Sequence, residues 1–135
     1  TQLQGRDMTR SSRSAAAADF DGDGRLDLMV ANFNDRPYYL KNQFPRRHFV
    51  ALRLEGTRTN RDAIGAVVKL YRAGEVLVRQ VQCTGGYLSQ SSKTLHFGLG
   101  DDPAIDRLEI RWPSGTRQTI ESPPVDRLTG IREPE

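Results

Sequence analysis

The strongest chemical signal in the sequence is the run DFDGDGRLD, which carries four aspartates within one short loop. They stand at positions 1, 3, 5 and 9 of the run: Asp19, Asp21, Asp23 and Asp27. Ca²⁺ takes roughly six to eight oxygen ligands at about 2.3–2.6 Å, and alternate carboxylates converge on one point when the backbone curls around it. Gly24 permits the sharp turn, and the carbonyl of Arg25 would add a neutral oxygen. The sequence therefore predicts a calcium site formed by the four aspartates and Arg25.

The residues around this loop exclude an EF-hand. Position 12 of the run, where an EF-hand carries a bidentate Glu, is Val30. Leu26, Leu28 and Val30 alternate like a strand, so we interpret the loop as a β-flanked calcium loop that Asp27 closes. The alternative is an Asp/Gly-rich turn held by side-chain-to-backbone hydrogen bonds. Magnesium fits less well, because it favours more water ligands and fewer carboxylates.

The loop must be positioned by the residues around it, and these predict a small β unit. A short strand over 15–18 feeds the loop, and 26–30 is a compact apolar run. The turn-like segment 34–37 separates this run from 38–40, which gives a hairpin-sized unit. Phe44-Pro45-Arg46-Arg47 reads as a linker, with the domain boundary near Pro45. We therefore predict two domains, a calcium-loop hairpin over 1–45 and a second domain over 46–135.

The second domain shows strand after strand at short spacing. Apolar and polar residues alternate with a two-residue period in 50–54, 95–99 and 108–112, and further strands are predicted over 68–70, 76–81, 116–120 and 126–132. Turn residues such as Pro113-Ser114-Gly115 separate them. This pattern predicts an all-β fold, an antiparallel β-sandwich or barrel-like domain preceded by the hairpin.

Two longer stretches resemble known families. Residues 12–42, from SRSAA through DFDGDGRLDLMVANFN to YYLKN, resemble an FG-GAP/VCBS repeat, the calcium-looped unit of integrin-type β-propellers. Residues 47–133 resemble the ASPIC/UnbV domain of cartilage acidic protein-like proteins, through GTRTNRDAIGAVV, GGYLSQSSKTLHFGLG and IDRLEIRWPSGTRQTI. The resemblance implies an extracellular or cell-envelope location, an upstream calcium-dependent propeller, the C-terminal part of a longer protein, and no established enzymatic activity. The four aspartates match the repeat's metal ligands.

Three polar groups in the second domain could bind a ligand. One lies in a predicted loop and one follows a Gly-Gly pair: Asn60, Arg61 and Asp62, then Tyr87, Ser89 and Gln90. Asn, Asp, Gln and an aromatic side chain are the usual composition of a carbohydrate-binding face. The structural alternative is that Asn and Asp cap turns and Gly-Gly makes a bulge. Trp112, the third candidate, alternates in phase with Leu108 and Ile110, which directs it inward.

Enzymatic interpretations have weaker support. The serines near position 90 have no activating base or nucleophile elbow. The nearest titratable group is His96, on the strand face opposite Leu95 and Phe97. Cys83 has no partner for a disulfide, and we expect it to be buried as a small apolar residue.

Charge distribution argues against nucleic acid as a partner. The net charge is +3, but residues 1–47 hold eight Lys/Arg and six Asp/Glu, and 48–135 hold twelve and eleven, interleaved throughout. No apolar run is long enough for a membrane span. We therefore predict a non-catalytic, calcium-binding adhesion or recognition module with a protein or glycan partner at a cell surface. A carbohydrate-binding module is the alternative, and self-association through the hairpin is a further hypothesis.

Overall fold

The computed structural model describes residues 10–135, which form three β-sheets. The first sheet has three strands in the order β1-β2-β3, and both pairings are antiparallel. Its strands are β1 (Ser12–Ala18), β2 (Asp27–Asn32) and β3 (Asp35–Leu40). The predicted turn at 34–37 is shorter in the structure, because β3 already begins at Asp35. The aspartate loop connects β1 to β2, so the unit is one strand larger than a hairpin.

The other seven strands form two sheets that pack on one another. They are β4 (His48–Glu55), β5 (Val67–Arg72), β6 (Glu75–Gln80), β7 (Leu95–Gly100), β8 (Arg107–Arg111), β9 (Arg117–Glu121) and β10 (Leu128–Arg132). One sheet has the order β10-β4-β7, and the other has the order β6-β5-β8-β9. The predicted all-β sandwich is confirmed. Among the described residues, no helix is long and apolar enough to cross a membrane.

The core of the sandwich follows from the two-residue period of its strands. Val50, Leu52 and Leu54 of β4 are buried, and Phe97 of β7 and Trp112 after β8 close the space between the sheets. The indole N–H of Trp112 donates to Gln118 Oε1 at 3.1 Å, which satisfies its one polar atom. The inward direction predicted for Trp112 is therefore correct. All buried hydrophobic residues of the described chain lie between positions 50 and 131.

The expectation of a purely antiparallel sandwich is wrong at one pairing. β10 runs parallel to β4, with Leu128 opposite Ala51 and Arg132 opposite Glu55. The alternation of apolar residues shows that a strand exists and which face it buries, but it carries no information about the direction of the strand beside it.

A buried carboxylate fixes the end of β10. Glu133 is 2% exposed, and its carboxylate accepts hydrogen bonds from the backbone N–H groups of Thr57 and Arg58 and from the hydroxyls of Thr59 and Ser114. The Ser114 bond, followed by the backbone bonds, outweighs the cost of burial and lowers the pKa of Glu133 to about 2. Neutral donors alone therefore stabilise this carboxylate.

Cys83 contradicts the sequence expectation. It is exposed, in the irregular segment between β6 and β7. Burial of a cysteine depends on which side of the chain faces the core, and an irregular segment has no period from which that side can be predicted.

Candidate metal centre

The aspartate loop is curled by two glycines and one carboxylate. Gly22 and Gly24 have φ values of 73° and 87°, in the left-handed region where other residues are strained. Asp19, at the start of the loop, accepts hydrogen bonds from two backbone N–H groups further on. Its Oδ1 accepts from Asp23 at 3.0 Å and its Oδ2 from Gly24 at 2.9 Å. The loop therefore bends around the Asp19 carboxylate.

This bend brings three of the predicted ligands together. One carboxylate oxygen from each of Asp19, Asp21 and Asp23 lies within 4.8 Å of the other two. Two oxygens bound to the same Ca²⁺ at about 2.3–2.6 Å are at most about 5 Å apart. The spacing and the donor type thus fit a calcium ion, and Ca²⁺ would be held by these three carboxylates.

Two cationic side chains contact the same carboxylates. Arg25 Nε donates to both oxygens of Asp23, at 3.1 and 3.0 Å, and Lys41 pairs with Asp21. The bond from Arg25 is the main reason that the pKa of Asp23 is lowered to about 2. Asp23 is therefore ionised throughout the physiological range. The two cations are positioned to compete with a metal ion for its ligands.

Asp27 has a different environment from the other three aspartates. It is 2% exposed, and its Oδ1 accepts from the backbone N–H of Asn42 at 2.8 Å while its Oδ2 accepts from the Tyr39 hydroxyl at 2.7 Å. Burial opposes ionisation, but the bonds from Asn42, Tyr39 and the backbone of Phe20 outweigh it, and the pKa of Asp27 lies below its ordinary value. Asp27 therefore ties the loop to β3. Its role as a metal ligand stays a prediction, as does that of the Arg25 carbonyl.

A cleft of about 420 Å³ separates the loop from the sandwich. The loop contributes Gly22 and Asp23, and the opposite wall comes from Arg46 and Arg47 of the linker and from sandwich residues that include His48, Asp101 and Asp126. Arg47 pairs with Asp101, and His48 Nδ1 lies 2.7 Å from Asp126. Asp23 thus lines a cleft whose walls carry several charged side chains.

The structure does not gather the six candidate ligand-binding residues of the second domain into one site. Arg61 and Asp62 line a cavity of about 360 Å³ with residues of β4 and β10, and Tyr87, Ser89 and Gln90 are not among its lining residues. The Asn60 side chain bonds to both backbone groups of Ile64, at 2.7 and 3.0 Å, so it caps its own loop.

The second group of candidates lies on an irregular loop. Tyr87 is 69% exposed, Gln90 is exposed, and Ser89 forms a single β-bridge with Gly86. Carbohydrate binding by these residues stays a prediction.

Sequence reasoning missed the residues that support the aspartate loop from outside it. Tyr39 and Asn42 donate hydrogen bonds to Asp27. Lys41 forms an ion pair with Asp21, and His96 contacts the carbonyl of Gly24. The only available signal was the outward face of His96 on its strand, which indicates that the residue is not in the core but does not identify what it contacts.

Comparison with known proteins identifies both parts of the chain. Residues 56–135 match the family described as ASPIC and UnbV, and residues 12–38 match the FG-GAP repeat. Cartilage acidic protein 1 of Xenopus tropicalis is 33% identical over 105 residues, which are 74% of this chain and 16% of that protein. Cartilage acidic protein 1 of Homo sapiens is 34% identical over 102 residues, 72% of this chain and 15% of that protein.

The chain thus spans about a sixth of the length of the curated relatives it matches. The ASPIC and UnbV match covers the larger part of the chain, from the end of β4 through β10, and the FG-GAP match covers most of the three-stranded sheet with its aspartate loop. The chain therefore belongs to the ASPIC and UnbV family, with an FG-GAP repeat preceding the domain that defines the family.

Proposed function

We propose that this chain is a non-catalytic calcium-binding module, part of a larger extracellular adhesion or recognition protein. The observation that carries the proposal is the convergence of Asp19, Asp21 and Asp23 within 4.8 Å on a loop that two left-handed glycines curl. The match of residues 12–38 to the FG-GAP repeat supports it, because such repeats are calcium-looped units of integrin-type β-propellers. The partner would be a protein or a glycan at a cell surface.

The residues have defined roles in this proposal. Asp21 and Asp23 would each ligate the ion with a negatively charged oxygen. Asp19 would also ligate it, and it keeps the loop curled by accepting hydrogen bonds from the backbone N–H groups of Asp23 and Gly24. Bound Ca²⁺ supplies charge compensation, which relieves the mutual repulsion of the carboxylates. Asp27 holds the end of the loop beside β3, because it accepts a hydrogen bond from the Tyr39 hydroxyl.

Calorimetric titration of the folded chain with CaCl₂ tests the proposal. We expect one Ca²⁺ per chain with an affinity no weaker than millimolar, the lower limit of extracellular sites. Asp21→Ala should weaken binding by at least about tenfold, because it removes one charged ligand. Asp101→Ala is the matched control, since Asp101 faces the same cleft but lies outside the loop, and it should leave the affinity unchanged. Absence of calcium uptake by the folded wild-type chain would refute the proposal.

A second variant acts in the opposite direction. Lys41→Gln removes the cation that pairs with Asp21, at a position that is itself 46% exposed. An exposed ion pair is worth about 0.2–1 kcal/mol, so calcium should bind up to about fivefold more tightly. Tighter binding by one variant and weaker binding by another cannot both result from a general loss of folding.

A further inference from the structure

The aspartate loop is seated on the sandwich by a direct contact with two of its strands. Gly24 is buried, and its carbonyl oxygen lies 2.8 Å from Nε2 of His96 in β7. A carbonyl oxygen can only accept, so this nitrogen carries the proton and donates. The two residues are 72 positions apart in the sequence.

An aromatic ring completes this seat. Phe49 of β4 stacks on His96 with ring centroids 5.2 Å apart and an interplanar angle of 6°. A Cβ atom on Gly24 would lie 2.2 Å from Cε1 of Phe49, a distance that real Cβ contacts do not reach. Gly24 is thus required twice, for its left-handed backbone and for its close approach to the Phe49 ring.

The segment before β7 fixes the chain just ahead of the loop. The backbone N–H of Ser92 donates to the carbonyl of Ala17 at 3.1 Å, and the backbone N–H of Ala17 donates to the hydroxyl of Ser91 at 3.2 Å. Ala17 lies two residues before Asp19. The sandwich therefore holds the loop at its entry as well as at its centre.

The contact at Gly24 acts on the ligands through one peptide group. The Gly24 carbonyl and the Arg25 N–H belong to the same planar peptide. His96 donates to the carbonyl, and the N–H donates to Oδ1 of Asp23 at 3.0 Å. The hydrogen bond from His96 therefore helps to orient the carboxylate of Asp23, a proposed ligand, through this one peptide group.

We propose that His96 and Phe49 are positioning residues for the metal centre, so that the calcium affinity of the FG-GAP loop depends on the ASPIC and UnbV domain. This inference rests on the calcium binding proposed above. A loop already held in its binding conformation loses less conformational freedom when the ion binds. Because coupling free energies are reciprocal, bound calcium strengthens the contact between the loop and the sandwich by the same factor.

Calcium titration of the full chain with His96 variants tests this inference. His96→Leu removes one hydrogen bond, with a net value of about 0.5–1.5 kcal/mol, so the affinity should fall roughly 3- to 10-fold. His96→Gln places an amide donor at a similar reach and should restore affinity to within about twofold of the wild type. Tyr71→Phe is the control, because it removes a side-chain hydrogen bond to Glu109 within the sheet β6-β5-β8-β9, which does not carry His96, and it should leave the affinity unchanged.

A second measurement needs no metal and separates this inference from the proposed function. In chelator, amide hydrogen exchange at Gly24 and Arg25 should be faster in His96→Leu than in the wild type by the same 3- to 10-fold. In His96→Gln the exchange rates of these amides should equal those of the wild type. The thermal melt followed by Trp112 shows whether each variant is folded.

The outcomes are distinct. A wild-type chain that takes up no calcium refutes the proposed function, and the exchange rates then decide the positioning role alone. Equal affinities and equal exchange rates in wild type and His96→Leu would overturn the inference. If His96→Leu fails to fold, Phe49→Leu removes the stacked ring and retains the histidine, and the same two readouts apply.

Discussion

The small sheet β1-β2-β3 and the sandwich are ordered by different forces. The sandwich buries fifteen hydrophobic residues in one continuous cluster. In the small sheet and its loop, among the residues described, the buried residues are Gly24 and Asp27. Large apolar side chains there are exposed: Phe20, Leu26, Leu28, Met29, Phe33 and Tyr39. One region is held by apolar burial, the other by hydrogen bonds to carboxylates and by its contact with the first.

A region of about 30 residues can therefore keep a defined conformation without a core of its own. Roughly 25 cal/mol of stabilisation comes from each Å² of apolar surface removed from water, and the small sheet gains little from this source. Its conformation depends on Asp19, Asp27 and the seat on Phe49 and His96. The hypothesis of self-association through the hairpin stays a prediction, and the exposed apolar residues are the surface it would use.

Truncation of one phenylalanine in each region should give the largest contrast. Phe97→Ala removes a fully buried ring and should lower the free energy of unfolding by about 3–5 kcal/mol. Phe33→Ala removes a ring that is 59% exposed, in the turn between β2 and β3, and should change it by less than about 0.5 kcal/mol. Urea denaturation followed by far-ultraviolet circular dichroism, which reports the strands of both regions, measures both. Similar losses in the two variants would mean that the apolar residues of the first region are buried in solution.

Calcium should stabilise the small sheet more than the sandwich. At a concentration 100 times the dissociation constant, a ligand stabilises the state that binds it by about 2.7 kcal/mol. Exchange of the β2 amides, such as that of Val30, should therefore slow by about 100-fold. Exchange at Val68 in β5 should slow by less than about tenfold, the limit set by the coupling through His96.

Hydrogen exchange with and without chelator measures this difference. The thermal melt of the sandwich should persist in chelator, since none of the described residues before position 50 belongs to its core. Equal slowing at Val30 and Val68 would show instead that the two regions unfold as one cooperative unit.

The smallest difference is expected between two carboxyl groups whose pKa values are lowered to a similar extent by different contacts. The pKa values of Asp23 and Glu133 are each lowered to about 2, Asp23 chiefly by the Arg25 guanidinium and Glu133 chiefly by the Ser114 hydroxyl. Each carboxylate stabilises the folded state by its full amount at pH values above the pKa of the same group in the unfolded chain, about 4. This stability is lost as the pH falls towards 2, where the folded carboxylates take up protons.

Single substitutions should separate the two carboxyl groups. Arg25→Gln should raise the pKa of Asp23 and leave that of Glu133 unchanged, and Ser114→Ala should do the reverse. Carboxyl chemical shifts recorded against pH in chelator measure both. A change at Glu133 in Arg25→Gln would contradict the separation of the two regions.

What the sequence predicted correctly was local. The two-residue period located the strands of the sandwich, because alternation depends only on which face is buried. Aspartate and glycine spacing located the loop, because Asp19, Asp21 and Asp23 lie within five residues. What it missed was the pairing of distant segments. The contact of His96 with Gly24 and the parallel direction of β10 depend on how the whole chain folds back, which no local pattern records.

The parallel pairing of β10 with β4 has a consequence for the order of folding. Leu128 pairs with Ala51, so two adjacent strands of one sheet come from opposite ends of the domain sequence. Contacts between such distant residues are formed late and slow the folding of β proteins. During synthesis β4 leaves the ribosome long before β10. The backbone groups of β4 that pair with β10 therefore stay unpaired until β10 has been made. In contrast, the residues of the small sheet lie within about 30 positions of one another, so its strands can pair early, but its loop gains the contact with Phe49 and His96 only after β7 has paired with β4.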